Sequence, residues 1–152
     1  MEHLKRVRLA ETILDSLKEK YQDQILVGGF YGSTARNEDT ELSDLDMILI
    51  TKNGSKDIEK EFLFKNIPIS YRSVGIHEAE DMIKNPDFSW PWTINSIINL
   101  RVIVGNEKVR DDLKDLIKEV TRKDCKKAIE NQLPNIYAYY NKLKRYHQND
   151  NL

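Results

Sequence analysis

Only one cysteine, Cys125, stands among 152 residues. That excludes an intramolecular disulfide and any multi-cysteine zinc site. Cys125 lies between lysines in a helical stretch and reads as an inert side chain rather than a reactive thiol. Long apolar runs are missing as well. No stretch approaches the roughly 18 apolar residues of a membrane span. The opening Met1-Glu2-His3-Leu4-Lys5-Arg6 has no apolar signal core, so no membrane association and a cytoplasmic location are expected. Neither sign of charge dominates: 24 Lys and Arg face 25 Asp and Glu, for a net charge of −1. A chain so balanced is not built to coat nucleic acid or an anionic membrane. Locally, Arg122, Lys123, Lys126, Lys127, Lys142, Lys144 and Arg145 give the last segment a basic surplus, which suits a solvated helix face or the orienting of an anionic ligand. Internal repeats and low-complexity segments are absent.

What is present suits one globular domain, or one domain with a helical appendage: 39% of residues are hydrophobic and 32% charged. Leu4, Val7, Ala10, Leu14, Leu17 and Tyr21 recur at three- and four-residue steps and predict a helix over residues 2–21. A buried strand is expected over 24–31, with a bulge or close backbone approach at Gly28-Gly29. A short helical start and polar loop cover 32–43, and a second strand, covered on both faces, spans 44–51. Asn53-Gly54 reads as a turn, and Ser55 as the N-cap of a helix over 56–64 carrying Ile58 and Phe62 at helical spacing. A third strand fits 67–74, with Pro68 near an edge or a strand start. Helices are expected over 77–85 and 93–99, then a short strand over 101–104. Val109, Leu113, Leu116, Ile117 and Val120 mark a further helix. Thr121 and Asp124 form a capping box for the last one, which Pro134 should kink or restart. Its stripe is Ile136, Tyr139, Tyr140, Leu143 and Tyr146. The fold class is α/β (α+β), a small mixed sheet flanked by helices with a helical C-terminal part. The expected division is a core at 1–105 and a helical appendage at 106–152.

The chemistry concentrates at Gly28-Gly29-Phe30-Tyr31-Gly32-Ser33-Thr34-Ala35-Arg36 and Leu42-Ser43-Asp44-Leu45-Asp46. Asp44 and Asp46 are two apart at a strand start, so their carboxylates emerge on one face. Two such carboxylates repel, and a divalent cation neutralises them best. Magnesium suits them because it prefers hard oxygen ligands and keeps positions open for phosphate oxygens and water. Gly32 before a helix start lets backbone approach an anion, Ser33 adds a hydroxyl donor, and Arg36 one turn on offers a fork for phosphate. Ser43 either fixes the aspartate loop or touches ligand.

This arrangement resembles the nucleotidyltransferase superfamily, which includes DNA polymerase beta, the aminoglycoside nucleotidyltransferases and the minimal nucleotidyltransferases. The family pattern is Gly-Ser, ten residues, then Asp-x-Asp, and here it falls on Gly32-Ser33 and Asp44-Leu45-Asp46. The resemblance covers residues 24–52 and continues weakly to Val104. It implies the nucleotidyltransferase fold, with Asp44 and Asp46 as catalytic ligands of two magnesium ions (or manganese). Ser33, Arg36 and the neighbouring amides would hold the β- and γ-phosphates of a nucleoside triphosphate, ATP first. The implied reaction moves AMP to the hydroxyl of a small-molecule or protein acceptor and releases pyrophosphate.

One departure bears on catalysis. Transferring members carry a third acid on the next strand, yet Asn66–Val74 holds no carboxylate, and Ser70 or Arg72 takes that place. Glu78, Glu80, Asp81 and His77 follow as candidate replacements, though their ordinary reading is an exposed helix start. Trp90 and Trp92 could stack on a base but read first as packing anchors. Two alternatives therefore stand beside the enzyme: an antitoxin-like partner of a HEPN-type ribonuclease, and a non-catalytic nucleotide-binding module. The tyrosine-rich last helix offers a face for a homodimer or a protein partner.

Overall fold

Apolar side chains on both faces of one strand decide how the chain layers. The computed structural model describes residues 2–87 and 89–148. Within it, Leu45, Met47 and Leu49 of β2 (Leu45–Thr51) bury one face under Ala10, Leu14 and Leu17 of α1 (Glu2–Tyr21). Ile48 and Ile50 bury the other face under α3 (Ile76–Lys84), α4 (Trp90–Ile98) and α5 (Glu107–Glu119), through Ala79, Ile83, Ile97 and Leu113. A strand covered on both sides needs apolar residues at successive positions, as β2 has.

Around β2 the sheet runs β3-β4-β2-β1-β5, with β1 at Ile25–Phe30, β3 at Glu59–Phe64, β4 at Ile67–Gly75 and β5 at Arg101–Gly105. β2 and β4 are parallel, and the other pairings are antiparallel. This is the mixed sheet flanked by helices that the alternation predicted. The bulge expected at Gly28-Gly29 is present as a register shift in the β1–β5 pairing. A Cβ on Gly29 would stand 2.0 Å from the Arg101 carbonyl oxygen, so only glycine fits.

The helix expected over 56–64 is overturned: residues 59–64 are strand β3. Ile58 and Phe62 have helical spacing, but β4 offers an unpaired edge that a helix would leave unsatisfied. The signal lay in Lys65-Asn66, whose φ of 47° and 66° make the two-residue turn of a tight hairpin. Phe62 then packs edge-on against Tyr71 at 6.3 Å. Ser55 caps nothing; its N–H closes a turn on Lys52.

Downstream, the capping box opens α6 (Arg122–Gln148): Asp124 Oδ2 accepts from Thr121 N at 2.9 Å and Asp124 N donates to Thr121 Oγ1 at 3.3 Å. α6 runs through Pro134 as one helix. Its stripe lies over no core, so Ile136, Tyr139, Tyr140 and Leu143 stay exposed; the Tyr146 side chain lies outside the described residues. Among the described residues no helix is long and apolar enough to cross a membrane.

Candidate functional site

β1 ends at Phe30, and Tyr31 leads into the single turn α2 (Gly32–Ala35). Gly32 adopts φ +73°, a conformation an L side chain resists. Tyr31 N donates to Asp46 O at 3.0 Å, which ties the start of α2 to the start of β2. A Cβ added at Gly32 would lie 3.7 Å from Asp46 Oδ2. The Gly-Ser turn and the strand-borne acid are therefore neighbours, as their sequence spacing implied.

A buried arginine holds the connecting loop. Arg6 of α1 donates to the carbonyls of Glu41 and Ser43, each at 3.1 Å, and pairs with Asp39 at 3.3 Å, while His3 contacts the other Asp39 oxygen at 2.6 Å. Asp44 follows directly, exposed, and Asp46 is half-buried on β2. Ser43 acts as a loop residue: its hydroxyl accepts from Thr40 N at 2.9 Å. Arg36 is turned to Glu38, with 2.7 Å between Nε and Oε2, in an exposed pair.

Across the sheet, Asp46 lies in register with Ser70 of β4, and Ser70 with Glu61 of β3. Paired residues share a face, so Asp46, Ser70 and Glu61 form a row on the side of α3–α5, one step before Ile48 where those helices begin to cover the sheet. Ser70 Oγ donates to Asp46 Oδ1 at 2.7 Å. An open cavity of about 500 Å³ lies over this row, with Asp44, Asp46, Glu61 and Ser70 as polar lining and Phe62, Leu63, Pro68 and Ile69 as apolar lining.

Electrostatics mark the same place. Burial pushes the Asp46 carboxyl above the ordinary carboxylate range; the Ser70 hydrogen bond opposes this, while the charges of Asp44 and Glu61 add to it. The Tyr31 hydroxyl is raised chiefly by burial and then by Asp46, with Arg72 opposing and Asp44 adding. Two hard-oxygen carboxylates with an uncompensated negative field form a donor set that fits magnesium. Among the described residues no three His, Cys, Asp or Glu side chains are grouped closely enough to hold a metal by themselves, so ligands from a bound phosphate or water would complete the shell.

Other candidates stand elsewhere. His77 lies in the first turn of α3, with its N–H on Asn53 Oδ1, beyond the C-terminal end of β4; neither it nor Glu78, Glu80 and Asp81 lines the cavity. Trp90 is a packing anchor, its Nε1 donating to Ile83 O at 2.9 Å, and Trp92 is exposed. Sequence reasoning missed Glu61, because its segment was read as a helix, and Arg6, because a lone arginine in an amphipathic helix carries no signal of its target.

Comparison with known proteins identifies the family. Residues 10–134 match the nucleotidyltransferase domain family. No curated protein matches. Among solved structures, a nucleotidyltransferase-like protein from Exiguobacterium sibiricum aligns at 17% identity and a TM-score of 0.47, over 71% of this chain and 37% of that one. The chain thus spans little more than a third of that protein's length.

Proposed function

This chain belongs to the nucleotidyltransferase domain family, and from that premise we propose that it transfers AMP from magnesium-ATP to an acceptor hydroxyl, releasing pyrophosphate. The observation that carries the reading is the approach of the Gly32-Ser33 turn to Asp46 beside an open, carboxylate-lined cavity. Asp44 and Asp46 are the residues that would hold magnesium. Bound there, magnesium (or manganese) would neutralise the triphosphate and the charge developing on pyrophosphate. Ser33 and the adjoining amides would grip the β- and γ-phosphates. Arg36 joins them by leaving Glu38, at small cost, since an exposed ion pair is worth at most about 1 kcal/mol. Tyr31 and Arg6 keep turn and loop in place, so that little reorganisation is needed when the nucleotide binds.

Calorimetry with ATP and magnesium, run beside a pyrophosphate-release assay, tests the reading. The Asp44→Asn/Asp46→Asn protein should lose both signals while keeping its fold; full transfer by that variant would sink the proposal.

A non-catalytic nucleotide-binding module is the second reading, favoured by Ser70 standing where β4 faces Asp46. Binding without pyrophosphate release would support it. A protein partner, homodimeric or of the HEPN-ribonuclease type, draws on the exposed α6 residues Leu133, Ile136, Tyr140 and Leu143. Light scattering, with and without a purified ribonuclease of that type, tests it; a lone monomer in both runs counts against it.

A further inference from the structure

We propose that Glu61 is the general base of the transfer, a carboxylate delivered from β3 where β4 has none. The inference rests on the nucleotidyl-transfer reading of the cavity and names a residue that reading does not supply. The strand pairing carries it. Asp46, Ser70 and Glu61 occupy one row across three strands, and neighbouring strands lie about 4.8 Å apart, which sets the outer two backbones about 10 Å apart. The Asp46 and Glu61 side chains project from the same face with Ser70 between them, so the space over Ser70 separates the two carboxylates and is open to substrate. Both residues line the cavity over the row, and the charge of Glu61 is felt at Asp46.

Glu61 is also available. It is exposed and makes no hydrogen bond or ion pair among the described residues. Ser70, lying between, is committed to Asp46 Oδ1. Glu59, the other acid on this face of β3, stands opposite Arg72 and is not part of the cavity lining. A carboxylate that stands off from the Asp44–Asp46 pair, yet shares its cavity, is placed to meet an acceptor hydroxyl entering from the β3 side.

The step balances as follows. The acceptor O–H bond breaks, and its proton moves to a Glu61 oxygen. The acceptor oxygen forms a bond to the α-phosphorus, and the bond from that phosphorus to its bridging oxygen breaks. Pyrophosphate leaves with the electron pair, and Glu61 returns the proton to water.

The test compares Glu61→Gln, Glu61→Asp and Glu59→Gln with the parent chain. Magnesium-ATP affinity is read by calorimetry and turnover by pyrophosphate release, with water, glycerol and a panel of sugar, nucleoside and tyrosine-peptide hydroxyls as acceptors. The expected result is a kcat about 100- to 10,000-fold lower for Glu61→Gln, with affinity within about twofold of the parent. Glu61→Asp should recover part of that loss, and Glu59→Gln should match the parent. A Glu61→Gln kcat within about threefold of the parent overturns the proposal and leaves the nucleotide site standing. Loss of affinity in step with turnover overturns it too, since Glu61 would then be a binding residue. A parent that binds magnesium-ATP and releases no pyrophosphate with any acceptor also overturns it. A parent that does not bind magnesium-ATP removes the underlying reading as well.

Discussion

Ser70 Oγ lies 2.7 Å from Asp46 Oδ1 across the parallel pairing of β2 and β4. A neutral hydroxyl there steadies the aspartate in one orientation and favours its charged form, against the burial that opposes it.

Replacing Ser70 with Ala should therefore raise the Asp46 carboxyl further and loosen it. Hydrogen bonds to charged groups are worth about 1.5–3 kcal/mol, and a half-buried site falls at the low end, so magnesium-ATP affinity should drop about tenfold. Calorimetry against an unchanged circular dichroism spectrum checks this; parental affinity would show that the contact is idle.

Asp46→Asn should stabilise the ligand-free protein while abolishing transfer. The folded-state pKa of Asp46 is raised, so its stabilising contribution is complete below the ordinary carboxylate pKa and is lost as pH rises through the folded value. At neutral pH the parent thus carries a penalty that the amide removes, and Asn can still accept from Ser70. Solvent screening at this half-exposed position limits the gain to about 1 kcal/mol at most. Thermal melts should show the variant ahead at pH 7 and the difference closing in acid. Added magnesium should stabilise the parent alone.

Arg6→Leu should cost about 3–5 kcal/mol, because it leaves the Asp39 carboxylate buried without its arginine. It also frees the Glu41 and Ser43 carbonyls. Since these residues precede Asp44, nucleotide affinity should fall as well. Urea unfolding and calorimetry read the two effects; a stability loss under about 1 kcal/mol would contradict the clasp.

Gly29→Ala should be among the most disruptive single-methyl changes in the chain. Its Cβ would sit 2.0 Å from Arg101 O, a backbone atom that moves only if β5 separates from β1. A loss of about 2 kcal/mol or more is expected, in the range of overpacked core sites, with denaturant midpoint as the measure.

Much of the fold is legible in local patterns. The apolar repeat of α1, the double-sided burial of β2, the glycine bulge and the Thr121–Asp124 box each depend on residues a few positions apart. So does the spacing between Gly32-Ser33 and Asp44-Leu45-Asp46. The misread segment is instructive for the opposite reason. Ile58 and Phe62 satisfy a helical period, and only the open edge of β4 made strand the better outcome.

What the chain determines by itself is therefore the order of its elements other than β3, and the presence of a glycine turn and two acids close in sequence. Tertiary structure alone decided that Arg6 reaches the loop before Asp44 and that Glu61 joins the row of Asp46 and Ser70. The physical reason is that periodicity shows which faces of an element are apolar, whereas strand register chooses which distant residues share a face. Register depends on every neighbouring edge at once, and no local pattern contains it.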